Sequence, residues 1–186
     1  TEQKTTLRFE NQTRLGAWTL KEGAELNNSI YTNHSRQRLY GSHSGTLSIY
    51  ETSLNIFGWG AFFSSDYTTA DKRLALSAGI RMDGNTYNRK MRQLWKQFSP
   101  RLSASYKLSE QWTLSGSTGL YHQLPPYTAL GYKDNEGQYL NKNLKYMQVF
   151  ESSLGVDWHL QDRFMVSAEG FFKRYSRMPL SLQDNI

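Results

Sequence analysis

The chain has 186 residues, enough for one large or two small domains, and 22 Lys and Arg against 16 Asp and Glu give it a net charge of +6. It contains no cysteine, which excludes disulfide scaffolds, thiolate zinc sites and cysteine nucleophiles. The N-terminal TEQKTTLRFE does not have the pattern of a signal peptide. No apolar run approaches the roughly 18 residues of a membrane-spanning helix, although the strands of a membrane barrel, apolar only at alternate positions, are compatible with the sequence.

Strict alternation of apolar and polar residues predicts an all-β chain. It is clear in 98–108, where Leu102, Ala104 and Tyr106 alternate with Ser103 and Ser105. It recurs in 73–82, where Arg81 is on the polar side, and in 150–160. Glycines interrupt most segments that would otherwise favour a helix. In chain order, the predicted strands cover 4–12, 16–30, 48–67, 72–83, 97–108, 112–123, 146–160 and 164–177.

The predicted strands are long. Most have ten residues or more, whereas strands of globular proteins have about five or six and a tilted membrane-crossing strand requires about 9–11. Segment 48–67 alternates less cleanly than the others, because Phe57 and Trp59 lie opposite Ile56 and Phe62. Either both faces of this strand are buried, or its register differs by one residue.

The connections alternate between short and long. Alternate connections of an up-and-down sheet lie at the same end, so one end would carry tight turns and the other large polar loops, as in bacterial outer-membrane barrels. The predicted short turns lie near 12–15, 68–71, 109–111 and 161–163. The predicted long loops cover 31–47, 84–96 and 124–145.

The stretch SGSTGLYHQLPPYTAL, residues 115–130, shows how such a strand would end. Pro125 and Pro126 supply no amide donor and therefore stop the ladder. Aromatic residues at both strand ends predict the two interfacial girdles of a barrel. The girdle at the short-turn end would contain Tyr106, Trp112, Trp158 and Phe164, and the one at the loop end Tyr121, Phe171, Phe172 and Tyr175.

Residues 98–127, FSPRLSASYKLSEQWTLSGSTGLYHQLPPY, resemble the barrel domain of TonB-dependent outer-membrane receptors, as do ALSAGIRMDGN at 75–85 and FMVSAEGFFKRYSRMPL at 164–180. The resemblance implies an antiparallel up-and-down meander of about eight strands that forms part of a barrel of roughly 22. It also implies uptake of a scarce nutrient across the bacterial outer membrane: a siderophore, metal complex, vitamin, saccharide or peptide. The partners that it implies are outer-membrane lipid, an N-terminal plug domain and the TonB energy-coupling complex.

The sequence shows neither the plug domain nor the energy-coupling box that the resemblance implies, which predicts that residues 1–186 are an internal segment of the barrel domain. Two unpaired sheet edges predict that the isolated segment closes on itself or self-associates. Two alternatives are a stand-alone eight-stranded outer-membrane barrel with a structural or adhesion role, and a soluble lipocalin-like carrier with its apolar face inward.

No catalytic, phosphate-loop or cofactor motif is present, so the chain is not predicted to be an enzyme. His34 and His43 could both contact a chelated metal, or could simply be solvated. The acid-free loop 84–96 could attract an anionic ligand or lipopolysaccharide phosphates, or be a solvated basic loop; nucleic acid is not predicted as a partner. The predicted ligand-binding residues lie in or beside the long loops: Tyr31, His34, Arg36, Arg38, Arg89, Arg92, Trp95, Tyr121, His122, Tyr127 and Tyr132.

Overall fold

The computed structural model describes residues 1–39, 46–134, 136–160 and 164–179. They form one antiparallel sheet in which every strand pairs with the next along the chain. Within these residues the sheet is open, since β1 and β8 each have a neighbour on one side only. The strands are β1 (Glu2–Leu15), β2 (Trp18–Leu39), β3 (Thr46–Thr68), β4 (Leu74–Asn85), β5 (Ser99–Lys107), β6 (Trp112–Gln123), β7 (Met147–Leu160) and β8 (Phe164–Ser176).

Two short helices lie in the connections. A 3₁₀ helix covers Leu94–Gln97 between β4 and β5, and α1 covers Tyr127–Leu130 between β6 and β7. Among the described residues, no helix has the length and apolar character to cross a membrane.

The first hairpin differs from the prediction. Residues 12–15 belong to β1, and the tight turn lies at Gly16 and Ala17, because Leu15 pairs with Trp18. Gly16 has a φ of +61°, a left-handed conformation that glycine adopts without steric cost and that two-residue hairpins require. The remaining short turns follow β3 and β5, and the predicted turn at 161–163 lies outside the described residues.

The predicted long loop 31–47 is largely strand. β2 continues to Leu39 and β3 begins at Thr46, and their ladder runs from Trp18 opposite Tyr67 to Leu39 opposite Thr46. The sequence TNHSRQRL predicted a loop because it is polar on both sides. Backbone hydrogen bonds alone can continue a hairpin where both faces are solvated, so the apolar pattern ends before the strand does.

The sheet has one apolar and one polar face. The apolar face carries exposed side chains such as Leu7, Phe9, Leu102 and Leu154, the last of which is 74% exposed. The polar face carries the charged residues Glu25, Arg81, Arg101 and Glu151, which the strand register places on the same side. The predicted alternation in β4, β5 and β7 agrees with this register.

The predicted girdles agree with the register at one end only. Trp112 and Trp158 stack at 5.7 Å on the apolar face beside the turn that follows β5, and Trp18 and Tyr67 make a similar pair at 4.7 Å that was not predicted. At the loop end, the register places only Phe172 of the predicted set on the apolar face. Tyr121, Phe171 and Tyr175 alternate onto the polar face instead, so their assignment to the girdle was wrong.

Candidate functional site

The connections β4–β5 and β6–β7 fold together over the polar face, and we call residues 86–98 and 124–146 the loop unit. Met91 and Leu130 are completely buried there, against Leu54 and Ile56 of β3 and against Tyr146. These contacts explain the irregular pattern of β3, because its polar face is apolar where the loop unit covers it. Ile56 therefore lies on the polar face, opposite Phe57 and Trp59, without any shift in register.

Side-chain amides and tyrosines hold the two connections together. Asn88 donates from Nδ2 to the carbonyl oxygens of Lys142 and Leu144, at 3.1 and 2.7 Å. The hydroxyl of Tyr87 lies 2.8 Å from the carbonyl of Leu130 and 3.0 Å from that of Asn141. These bonds join side chains of the first connection to backbone carbonyls of the second. The two connections thus form one structural unit.

β3 anchors this unit to the sheet. The hydroxyls of Tyr50 and Thr52 lie 2.8 and 2.7 Å from the carbonyl oxygen of Gly131, and Tyr139 donates to the carbonyl of Ser53 at 2.6 Å. Gly131 is buried, and a Cβ at this position would lie 3.1 Å from the Thr52 hydroxyl. The loop end of the sheet is therefore a packed surface.

Tyr146 makes the loop unit sensitive to alkaline pH. Burial raises its pKa from 10.0 to about 12, while a hydrogen bond from Asn85 Nδ2 at 2.9 Å partly opposes this effect. The raised pKa means that the folded loop unit favours the neutral phenol of Tyr146. The contribution of this group to the stability of the loop unit is therefore complete below pH 10 and is lost as the pH rises towards 12. A tyrosinate-absorbance titration of the complete receptor minus that of its Tyr146→Phe variant should show a late-titrating phenol. A difference curve centred at the ordinary tyrosine pKa would contradict this expectation.

A cleft of about 610 Å³ lies between the loop unit and the polar face. Its charged floor is formed by Arg81, whose Nε lies 2.9 Å from Asp83 Oδ2 and whose Nη2 lies 2.8 Å from Asp83 Oδ1. Glu25 is 3.7 Å from the same guanidinium. Gly60 makes room for this cluster, because a Cβ there would stand 2.6 Å from Asp83 Oδ1. The cleft therefore has a preorganised ionic floor.

Aromatic and neutral polar groups form the rest of the cleft. Tyr31 stacks on Tyr127 with ring centroids 5.8 Å apart. His122, which also lines the cleft, is held by a 2.9 Å hydrogen bond between its Nδ1 and Ser99 Oγ. Asn27 supplies an amide to the same surface. Stacked rings beside fixed polar groups are typical of small-molecule sites.

A second groove of about 750 Å³ continues along the polar face from Arg81. Here the guanidinium of Arg101 lies 4.6 Å from the centroid of the Tyr121 ring, and that of Arg8 lies 4.8 Å from the Phe62 ring. Both are cation–π contacts. Tyr121 therefore belongs to the groove on the polar face.

The structure brings only some of the predicted ligand-binding residues together. Tyr31, His122 and Tyr127 meet in the cleft, and Tyr121 lies in the adjoining groove. His34 is elsewhere, with its Nδ1 2.7 Å from an exposed Glu51. The remaining described candidates do not line the cleft and are exposed: Arg36, Arg89, Arg92, Trp95 and Tyr132.

Some predicted residues lie outside the described part of the chain: His43 and the side chain of Arg38. Among the described residues, no three His, Asp or Glu side chains are grouped so as to hold a metal ion. The ionic floor of Glu25, Arg81 and Asp83 was not predicted as a site. Period-two alternation did place Arg81 on the polar face, but it could not show that β2 and β4, on either side of β3, bring these charges together.

A family model described as TonB dependent receptor-like, beta-barrel matches residues 1–186, the whole of the chain. The chain belongs to this family. The resemblance seen in the sequence motifs is thus confirmed, and so is the prediction of an antiparallel meander that forms part of a receptor barrel. Among curated proteins, none matches the chain by sequence.

Solved structures share this receptor-barrel fold. The siderophore receptor PirA from Pseudomonas aeruginosa is 18% identical and aligns with 94% of the chain at a TM-score of 0.69. The ferric enterobactin receptor of the same organism is 18% identical and aligns with 94% at 0.68. The copper transporter OprC is 16% identical and aligns with 92% at 0.65. The chain spans 31%, 27% and 29% of these proteins, respectively.

Membership of the TonB-dependent receptor family allows the two faces of the sheet to be compared with the outer and inner surfaces of a receptor barrel. Homologues are outer-membrane proteins of Gram-negative bacteria, and transmembrane barrels have an apolar outer surface and a polar interior. The apolar face of the sheet corresponds to the outer surface of such barrels, and the polar face, with the cleft, corresponds to their interior. A stand-alone barrel and a soluble carrier are not favoured.

Proposed function

We propose that this chain is part of the wall of an outer-membrane receptor that takes up a scarce nutrient in the bacterial outer membrane. Its apolar face would contact lipid, and its polar face would contact a plug domain supplied by the rest of the protein. The family implies energy coupling through the TonB complex. An isolated segment would expose the edges of β1 and β8, and we expect it to self-associate through them.

The observation that carries this proposal is the cleft beneath the loop unit. It combines the Tyr31–Tyr127 stack, His122 and the ionic floor of Arg81 and Asp83 at the loop end of the barrel interior. A ligand that arrives from the loop side would reach these groups before the groove further along the polar face. Because hydrogen bonds hold the loop unit to β3, the cleft would be formed before the ligand binds, which lowers the entropic cost of binding.

The similar solved proteins suggest the ligand class. Two are a siderophore receptor and a ferric enterobactin receptor, and the third is a copper transporter. We therefore propose a metal-carrying ligand, with a ferric siderophore as the first candidate. The stacked tyrosines would contact the flat aromatic groups of a catecholate siderophore.

Replacing both Tyr31 and Tyr127 by alanine in the complete receptor should weaken ligand binding by about tenfold, as expected for two lost aromatic contacts. The probes are ferric enterobactin and copper(II), and the measurement is equilibrium binding to the purified receptor. The matched control is Tyr67→Ala with Tyr106→Ala, two tyrosines of the apolar face near the short turns.

If the two double variants bind the probe with equal affinity, the cleft is not the ligand site. If the unmodified receptor binds neither probe, a metal-carrying ligand is contradicted, and vitamins, saccharides or peptides become the classes to measure. The family is one of receptors. That the chain has no enzymatic activity stays a prediction, as does the absence of nucleic acid among its partners.

A further inference from the structure

The β4–β5 connection reaches the edge of the apolar face. Gly84 lies opposite Trp59 in the β3–β4 register, and a Cβ on Gly84 would stand 2.7 Å from Trp59 Nε1 and 3.2 Å from the carbonyl oxygen of Arg92. Trp59 shares the apolar face with Phe57, whose ring centroid lies 6.2 Å away. The backbone of Arg92 thus lies beside the aromatic residues that end the apolar surface.

Backbone pairing holds the connection in this place. The amide of Thr86 donates to the carbonyl of Phe57 at 2.9 Å, and the amide of Phe57 donates to Thr86 Oγ1 at 3.0 Å. The amide of Asn85 donates to the carbonyl of Met91, also at 3.0 Å. The connection is therefore attached to β3 and β4 directly after Gly84.

Four cations occupy this connection, and we call them the basic rim: Arg89, Lys90, Arg92 and Lys96. All four are exposed, and residues 86–98 contain no acidic residue. The side chain of Asn88 ties this segment to the backbone of Lys142 and Leu144, which brings another exposed lysine close to it. None of the four lines the cleft or the groove of the polar face.

Exposed aromatic residues accompany these charges. Trp95 is 73% exposed and Phe98 is 43% exposed, and both belong to the same connection. Tryptophan is enriched at the boundary between hydrocarbon and headgroups, and nearby arginines and lysines reach into the headgroup layer. Each cation near an anionic membrane surface adds to binding, and the planar guanidinium of arginine can bind a phosphate group through two parallel hydrogen bonds.

We propose that the basic rim binds the phosphate groups of a phosphorylated glycolipid in the outer leaflet, while Trp95 contacts its acyl boundary. This inference rests on the outer-membrane location in the proposed function. Arg89, Arg92 and Trp95, which the sequence predicted as ligand-binding residues, are assigned by this proposal to the lipid-binding surface instead. The four exposed charges, and the position of the Arg92 backbone beside Trp59, favour a lipid over a solute that enters the barrel.

The test uses the complete receptor, purified in a neutral detergent, and bis-phosphorylated lipid A as the probe. A variant with Arg89, Lys90, Arg92 and Lys96 all replaced by glutamine should bind this lipid at least about tenfold more weakly, since four headgroup-facing cations are lost. Dephosphorylated lipid A should bind weakly to the variant and to the unmodified receptor alike. The matched control is the glutamine variant of four cations near the short turns: Arg14, Lys72, Arg73 and Lys107.

Equal weakening in the control variant would overturn the proposal, because net charge alone would then explain binding. Full competition by inorganic pyrophosphate would also overturn it, since the site would then take a free phosphate. A circular dichroism spectrum equal to that of the unmodified receptor shows that the variant is folded. The lipid result is separate from that for ferric enterobactin or copper(II), because the two experiments use different variants and different probes.

Discussion

Leu130→Ala should destabilise the loop unit by roughly 2–5 kcal/mol, the usual cost of removing a buried leucine side chain. Leu130 is completely buried between the two connections and β3, and its backbone carbonyl accepts the hydroxyl of Tyr87. The cavity would loosen both connections together, because Asn88 and Tyr87 join them. Hydrogen exchange of the complete receptor should therefore accelerate in 86–98 and 124–146, with β5 and β6 unchanged.

The matched control is Leu140→Ala, the same change in the same connection at a side chain that is 57% exposed. It should leave exchange within the loop unit unchanged. Similar acceleration in the two variants would contradict the packing described for Leu130. Acceleration limited to 124–146 would contradict the coupling between the connections.

Leu102→Lys should destabilise the complete barrel in the membrane by about 2–4 kcal/mol, since a lysine on the lipid-facing surface near mid-membrane loses its hydration. Leu102 lies near the middle of β5 on the apolar face and is 55% exposed. The free energy of unfolding in denaturant, measured with the receptor in lipid vesicles, reports this cost.

The neighbouring change Ser103→Lys is the control, because residue 103 points to the polar face across from Ser77 and Ser117. A lysine there stays in the barrel interior and should cost much less. Equal destabilisation by the two lysines would contradict the assignment of the faces. A larger cost at residue 103 would mean that the faces are reversed, as in a soluble carrier.

The strands could be predicted well because their signal is local. Alternation in 97–108 and 112–123 repeats every second residue, and the structure has β5 and β6 within two residues of those limits. The continuation of β2 from residue 31 to Leu39 could not be predicted in the same way. Where both faces of a hairpin are polar, its ladder depends on backbone pairing between strands, which leaves no periodic pattern in the side chains.

The candidate site was only partly predictable for a related reason. Tyr31 and Tyr127 are polar-face and loop aromatics that sequence reasoning selected, but nothing in their separate segments indicates that their rings stack. The partnership of Arg81 with Asp83 and Glu25 joins β4 to β2 across β3. Contacts across strands depend on register, and a shift of one residue would reverse the face of every side chain.

The amino-acid sequence by itself determined an antiparallel meander of eight long strands, because alternation and chain-breaking residues act over a few neighbouring positions. Its motifs also indicated the receptor family. Only the tertiary structure decided that the two connections fold into one unit on β3, that the Tyr121 ring lies against Arg101, and that the backbone of Arg92 lies beside Trp59. These features arise from packing between segments distant in the chain, and their energy depends on geometry that no single segment contains.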